Sequence, residues 1–171
     1  MSVVLIGYRA SGKSTVGRLL AERLQRPFAD SDEWIVREAG RSIREIFAER
    51  GESGFRELET QAVRQIALLG DHVIALGGGA LGKPENLAAM RAGGHRFVYL
   101  HCLPRQLHDR IQADPATAAA RPALSKLGGG IEEIEQILAQ REPLWREVAH
   151  AEVDVTNLTP QQVVDALVKV I

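Results

Sequence analysis

Residues 3–15 read VVLIGYRASGKST. A four-residue apolar run, Val3–Ile6, stops at a glycine; a second glycine follows five positions later, then Lys13, Ser14 and Thr15. A short continuous apolar run is the pattern of a strand buried on both faces of a parallel sheet. After the glycines, Val16, Leu19, Leu20 and Leu24 recur at helical spacing, predicting a helix over Lys13–Leu24. The stretch therefore reads as buried strand, tight turn, amphipathic helix, the opening unit of an α/β fold.

Gly7–Thr15 fits the phosphate-binding pattern G-x-x-x-x-G-K-[ST] in full. Glycines let the backbone turn tightly and aim its N–H groups inward. The helix N-terminus adds partial positive charge beside a bound anion. Lys13 can reach terminal phosphates, and the Ser14 hydroxyl can ligate Mg²⁺. The competing reading is a helix-capping glycine turn that happens to hold a lysine; the correct flanks argue against it.

Working outward, Pro27–Ala29 leads into Asp30-Ser31-Asp32, a second strand tip. Trp34–Ala39 reads as a helix ending at Gly40. Ser42 caps a short helix with Ile43, Ile46 and Phe47 on one face, and Phe55–Leu69 continues as a longer one. His72–Leu76 is a third strand, followed by Gly77-Gly78-Gly79. Pro84–Arg91 is helical, Arg96–Leu100 a fourth strand and Pro104–Ile111 a helix. From Ala113 to Gly130 the pattern breaks into alanine, proline and glycine with two cations, Arg121 and Lys126. A loop of that length inside a domain is more often functional than idle. Helical spacing returns over Ile131–Leu138; Val153–Val155 is a fifth strand, and Pro160 opens the last helix. The alternation predicts one α/β domain over residues 1–171 with a mostly parallel five-stranded sheet.

The totals suit that reading. The chain has 171 residues, 45% hydrophobic and 25% charged, with a formal net charge of −1. No global field draws it toward nucleic acid or a membrane surface, so any anionic ligand must meet a local cation cluster. The single cysteine, Cys102, excludes an intramolecular disulfide and reads as a small buried residue at a strand end. No apolar run approaches a membrane span, and Val3–Ile6 follows the start with no basic leader segment. A cytoplasmic enzyme or binding protein is expected, with no nucleic-acid or membrane partner.

Three further groups carry candidate chemistry. Asp30 and Asp32 sit at a strand's carboxyl end, where open α/β sheets bind ligands. One acid could serve Mg²⁺ and the other a substrate hydroxyl; Asp-Ser-Asp is equally an N-cap sequence, and both readings can hold together. Gly77–Gly79 leave no side chains between a ligand and the main chain, or form a plain turn. Arg56, with Glu59 three positions on, reads by default as half of a surface ion pair. Composition alone selects none of Arg56, Arg110, Arg121 and Arg141.

Taken in order and spacing, Gly7–Thr15, Asp30-Ser31-Asp32, Gly54-Phe55-Arg56-Glu57-Leu58-Glu59, Gly77–Gly79, Arg121-Pro122 and Arg141-Glu142-Pro143-Leu144-Trp145 resemble the shikimate kinase family over nearly the whole chain. The resemblance implies a three-layer α/β/α P-loop kinase of the nucleoside-monophosphate-kinase-like type, with a parallel sheet in the order 2-3-1-4-5. It implies a shikimate-binding region at about 31–60 and a lid at about 112–126. It implies transfer of the ATP γ-phosphate to the 3-hydroxyl of shikimate, with Mg²⁺ as cofactor, ATP and shikimate as ligands, and a monomer.

The residue roles come with it. Asp32 matches the presumed base, with Lys13 and Arg121 as the other catalytic groups. Gly7, Ala10, Ser11, Gly12, Lys13, Ser14 and Thr15, with Arg110 and the lid residue Arg121, match the nucleotide site. Asp32, Arg56, Gly77, Gly78, Gly79 and Arg141 match the shikimate site, the two arginines gripping its carboxylate; Glu59 orients Arg56, and Ile43, Phe47 and Phe55 form an apolar side. Ser14 and Asp30 match the metal site, and Thr156–Pro160 the surroundings of adenine. Two residues depart from the family habit: Tyr8 and Arg9 stand in the loop where smaller residues are common. Arg9 could add a cation near the substrate or point to solvent. The rival readings are another small-molecule kinase of the same fold, such as a gluconate kinase, and a nucleotide-binding module without catalysis.

Overall fold

Four strands enter the sheet from the apolar runs read above, and the fifth from the run before Thr156. The computed structural model describes residues 1–114 and 130–171. Arg121 and the expected lid from residue 115 onward lie outside the described residues. The strands are β1 (Val3–Ile6), β2 (Phe28–Asp30), β3 (Val73–Ala75), β4 (Arg96–His101) and β5 (Ala151–Asp154). They pair in parallel in the order β2-β3-β1-β4-β5. Parallel neighbours need crossovers, and the helices supply them: α1 (Lys13–Leu24), α2 (Ser31–Ala39), α3 (Ile43–Ile66), α4 (Pro84–Ala92), α5 (Pro104–Ala113), α6 (Ile131–Val148) and α7 (Pro160–Val168). Helices cover both faces of the sheet, so β1 and β3 are buried throughout and β4 at all but its two ends.

Register decides where the functional segments meet. Leu5 pairs with Ala75, and Ala75 with Asp30. The segments that follow these residues, Gly7–Gly12, Ser31–Asp32 and Gly77–Gly79, therefore leave the sheet along one edge. The ladder runs slightly beyond the strands, since Leu76 N–H donates to Leu5 O at 3.1 Å.

The boundaries differ from expectation in three places. Helix α2 starts at Ser31 rather than Trp34, because Asp30 caps it: the carboxylate accepts the N–H groups of Asp32 and Glu33. Helix α6 runs on past Leu138 to Val148, through Pro143. Proline there cannot donate to the carbonyl one turn back, but Ile134, Ile137, Leu138, Trp145 and Val148 bury one continuous face and hold the helix together. Strand β5 begins two residues early, at Ala151, paired with Val98.

The two helices expected after Ser42 are the two halves of α3, which meet at Gly51, whose φ of 64° and ψ of −171° leave the helical region. That positive φ suits glycine. A capping box at Ser42 and Glu45 starts the first half. The main core lies on the sheet; a smaller cluster of Ile35, Ile43, Ile46, Phe55 and Ala62 fastens α2 to α3. Cys102 is buried just beyond β4, as its neighbours suggested.

Candidate active site

The glycine loop owes its shape to three left-handed or near-mirror backbone positions. Gly7 has φ 145°, Ala10 φ 62° and Gly12 φ 95°. A side chain at Gly7 would also meet the Leu100 carbonyl at 2.8 Å, so close packing against β4 demands glycine there. Gly12 is the N-cap of α1 and offers no side-chain cap, which leaves the first N–H groups of that helix for a ligand. Lys13 folds back over the loop, its ammonium donating to the carbonyls of Gly7 at 2.9 Å and Tyr8 at 2.7 Å. The Ser11 hydroxyl is buried and has no hydrogen-bond partner among the described residues.

Two cavities adjoin this loop. The first, about 350 Å³, is lined on one side by Arg9, Lys13 and Ser14 and on the other by Asp30, Asp32, Ile43 and Gly77-Gly78. The second, about 390 Å³, lies across the loop, between Ala10–Gly12, Thr15 and Arg110 and the residues Val155, Leu158 and Pro160. Arg110 is fixed there by carbonyls: it donates to Val155 O at 2.8 Å and Thr156 O at 3.3 Å, and reaches Ala10 O at 3.4 Å.

In the wall of the first cavity, the Ser14 hydroxyl donates to Asp30 Oδ2 at 2.6 Å, while Asp30 Oδ1 accepts the α2 N–H groups. Asp30 is thus helix cap and loop partner at once. A hydroxyl and a carboxylate side by side are hard oxygen donors of the kind Mg²⁺ prefers. Among the described residues no three His, Cys, Asp or Glu side chains are grouped to hold a metal alone. An ion at Ser14 and Asp30 would complete its shell from phosphate oxygens and water, as Mg²⁺ commonly does.

On the far wall, the glycines lie close against the arginines and the Gly7 carbonyl. A Cβ at Gly79 would lie 2.6 Å from Arg56 Nη1, and one at Gly78 would lie 3.7 Å from Arg141 Nη1 and 3.0 Å from Gly7 O. A Cβ at Gly77 would come within 3.2 Å of carboxylate oxygens of both Asp32 and Glu59. The glycine run therefore threads between Asp32 and the two guanidinium groups, drawing together residues from α2, α3 and α6.

Arg56 is not half of a surface ion pair. Its Nη1 donates to Glu59 Oε2 at 2.7 Å, and Glu59 is 1% exposed. Burial works against the Arg56 charge, but the Glu59 carboxylate, helped by Glu52, more than offsets it and raises Arg56 above its ordinary value. The spacing i, i+3 was legible in the sequence; the burial was not, because it comes from packing of α3 under the glycine turn. Ile43 lines the first cavity, whereas Phe55 is buried in the smaller core cluster with Phe47 stacked on it at 4.7 Å between ring centroids.

Sequence reading missed three supporting residues. Ser31 is fully buried, and its hydroxyl accepts the Gly77 N–H at 2.8 Å, tying the β2 tip to the β3 tip. Lys83 donates to Arg56 O at 3.3 Å and Thr60 Oγ1 at 3.2 Å. Glu133, on the first turn of α6, is fully buried and lies 3.8 Å from Arg9, which therefore does not point to solvent. Only Ser31 carried a local signal, as the small polar residue between two candidate acids.

The chain is similar to known proteins over nearly its whole length. The family model for shikimate kinase matches residues 9–171. A shikimate kinase from Symbiobacterium thermophilum is 40% identical over 167 residues, spanning 96% of this chain and 92% of that one. The solved shikimate kinase from Acinetobacter baumannii, in complex with shikimate, superposes with a TM-score of 0.87 at 30% identity, covering 98% of this chain and 90% of that one. A gluconokinase from Sinorhizobium meliloti superposes with a TM-score of 0.63 at 20% identity, covering 96% and 87%, a likeness of fold alone. With a family model spanning nearly all of it and relatives alike from end to end, the chain belongs to the shikimate kinase family.

Proposed function

We propose that the chain transfers the γ-phosphate of ATP to the 3-hydroxyl of shikimate, giving shikimate 3-phosphate and ADP. The observation that carries the acceptor is the placing of the Arg56 and Arg141 guanidinium groups against Gly79 and Gly78, in the same glycine run whose Gly77 lies against Asp32. A planar guanidinium meets a carboxylate with paired, charge-assisted hydrogen bonds. Two of them fix a carboxylate in orientation as well as place, and so fix the ring attached to it.

Phosphoryl transfer asks a protein for alignment, charge neutralisation and exclusion of water more than for covalent chemistry. Lys13, released from the Gly7 and Tyr8 carbonyls, and the N–H groups opening α1 hold the β- and γ-phosphates. The buried Ser11 hydroxyl, without a partner in the described residues, supports a ligand that brings acceptor oxygens to the loop. Arg110 adds positive charge at the second cavity, and Leu158 and Pro160 give that cavity an apolar side suited to a base. Ser14 and Asp30 would hold Mg²⁺, which would neutralise phosphate charge. Arg56 and Arg141 grip the substrate carboxylate, with Glu59 setting the angle of Arg56. Asp32 accepts or steers the proton of the reacting hydroxyl. Arg121 stabilises the migrating phosphoryl group.

The test is ADP release by purified protein supplied with ATP, Mg²⁺ and shikimate as sole acceptor, with the phosphorylated product identified by mass. Turnover with shikimate and none with gluconate is expected. Turnover with gluconate alone would move the chain to another kinase of this fold, and nucleotide binding without any acceptor-dependent turnover would leave only a binding module.

A further inference from the structure

Tyr8 and Arg9 enlarge the phosphate loop, and both turn inward. Tyr8 is 2% exposed and the Arg9 side chain 13%. The Arg9 guanidinium stands 6.0 Å from the Tyr8 ring centroid, and its Nη2 lies 3.8 Å from Glu133 Oε1. Glu133 has no exposed surface at all. A carboxylate so deeply placed needs nearby positive charge to stay ionised, and Arg9 supplies some of it.

The neighbourhood extends to the acceptor arginine. Burial pushes the Tyr8 hydroxyl above its ordinary range, and the charges of Arg9, Glu133 and Arg141 all act on it. At Gly78, an added Cβ would lie 3.7 Å from Arg141 Nη1 and 3.8 Å from the Arg9 backbone nitrogen. The loop at Arg9 and the guanidinium of Arg141 thus flank one glycine. Glu133 and Arg141 share helix α6, eight residues or about two turns apart. The loop that holds the nucleotide is therefore tied to the helix that carries Arg141, through a side chain of the loop itself.

We propose that Arg9 is a positioning residue of the acceptor site: its pairing with buried Glu133 sets the seat of α6 against the phosphate loop, and hence the place of Arg141 over Gly78. The proposal rests on the shikimate reading, because it takes Arg141 as the acceptor's carboxylate ligand. Arg9 lines the first cavity beside Lys13, but the role assigned to it runs through Glu133 and α6. It acts on how well the acceptor is held, not on the transfer step.

The test is steady-state kinetics in both substrates on the full chain, for wild type, Arg9→Met, Arg9→Lys, Glu133→Gln and the double variant Arg9→Met/Glu133→Gln, with thermal unfolding alongside. Arg9→Met should raise the shikimate KM on the order of tenfold, within the coupling range of residues in contact. The ATP KM should stay within about twofold. Arg9→Lys should recover most of the loss, since an ammonium keeps the charge beside Glu133. The double variant should be no worse than the poorer single variant, because both remove one pairing. A shikimate KM unmoved by Arg9→Met, both KM values rising in proportion, or additive effects in the double variant would overturn the proposal. Should Arg9→Met fail to fold, the near-isosteric Glu133→Gln carries the test, and its shikimate KM must still rise selectively. If wild type turns over shikimate and the variants match it, this proposal alone falls; if wild type does not, the substrate reading falls first.

Discussion

The proposed nucleotide cradle and the proposed acceptor pocket share a sheet edge but are built in opposite ways. Most of the cradle comes from one stretch, Gly7–Thr15, whose strand, turn and helix follow from consecutive residues. The acceptor wall is collected from α2, α3, the turn after β3 and α6, residues separated by more than a hundred positions in sequence. Local construction makes the cradle readable and hard to alter piecemeal. Dispersed construction leaves the acceptor wall dependent on tertiary packing, and open to changes that affect one substrate without the other.

The largest effect should come from the residue nearest the division between them. Asp32→Ala is expected to lower turnover by about 10²–10⁴, the range for losing a positioned proton acceptor, with ATP binding unchanged. Lys13→Met, in the cradle, should lower turnover by about 10²–10³ and weaken ATP binding as well. Nucleotide titration of both variants checks the split. Equal loss of ATP affinity in the two would erase the distinction between cradle and acceptor wall.

Next is Arg141→Ala. Loss of a charge-assisted contact costs about 1.5–3 kcal/mol, so the shikimate KM should rise about 10–150-fold. The ATP KM should barely move. An unchanged shikimate KM would remove Arg141 from the acceptor wall and leave the cradle untouched. Glu59→Gln should be milder, about fivefold in the shikimate KM, because the amide keeps shape and an acceptor oxygen but loses the charge that orients Arg56. If its KM matched wild type, the ion pair with Arg56 would be a packing feature only.

The same contrast explains what the sequence made legible. The five strands, the glycine loop and Cys102 at a strand end follow from short windows of apolar pattern and glycine placement, whereas the strand order came with the resemblance to a family. Helix α2 starts three residues before the Trp34 that apolar spacing predicts, because Asp30 caps it while bonding Ser14, so both readings of Asp-Ser-Asp hold at its first acid. Residue pattern alone assigned Arg56 and Glu59 to the surface, since i, i+3 pairs on helices are usually solvated. Their burial depends on Gly79 lying against Arg56, a contact that only the fold creates. Arg141, Arg56 and the glycine run were connected through resemblance to a family rather than through any local signal. Glu133 and Lys83 gave none.

Ser31→Ala tests a joint of the dispersed site. The hydroxyl, fully buried, is the acceptor for the Gly77 N–H, and without it that part-buried donor on the cavity wall loses its partner, at a cost of about 1 kcal/mol. Denaturant unfolding should register the loss, and the shikimate KM should rise a few-fold as the glycine turn shifts. Wild-type stability in this variant would mean that the tips of β2 and β3 are held by the ladder alone.

The smallest effect sharpens the comparison most, because it concerns the same guanidinium. Arg56 meets two carboxylates: Glu59, buried, at 2.7 Å, and Glu52, 71% exposed at its side chain, at 3.3 Å. In Coulomb terms the two separations differ little, but the surroundings differ greatly. Water and salt screen the exposed pair, whose contribution is about 0–0.5 kcal/mol. Glu52→Ala should therefore leave the shikimate KM within about twofold of wild type and shift stability by less than about 0.5 kcal/mol. Raising the salt concentration should make even that difference vanish. An effect of Glu52→Ala as large as that of Glu59→Gln would mean that charge near Arg56, rather than the buried hydrogen-bond geometry, sets its place, and the acceptor wall would then depend less on packing than its construction implies.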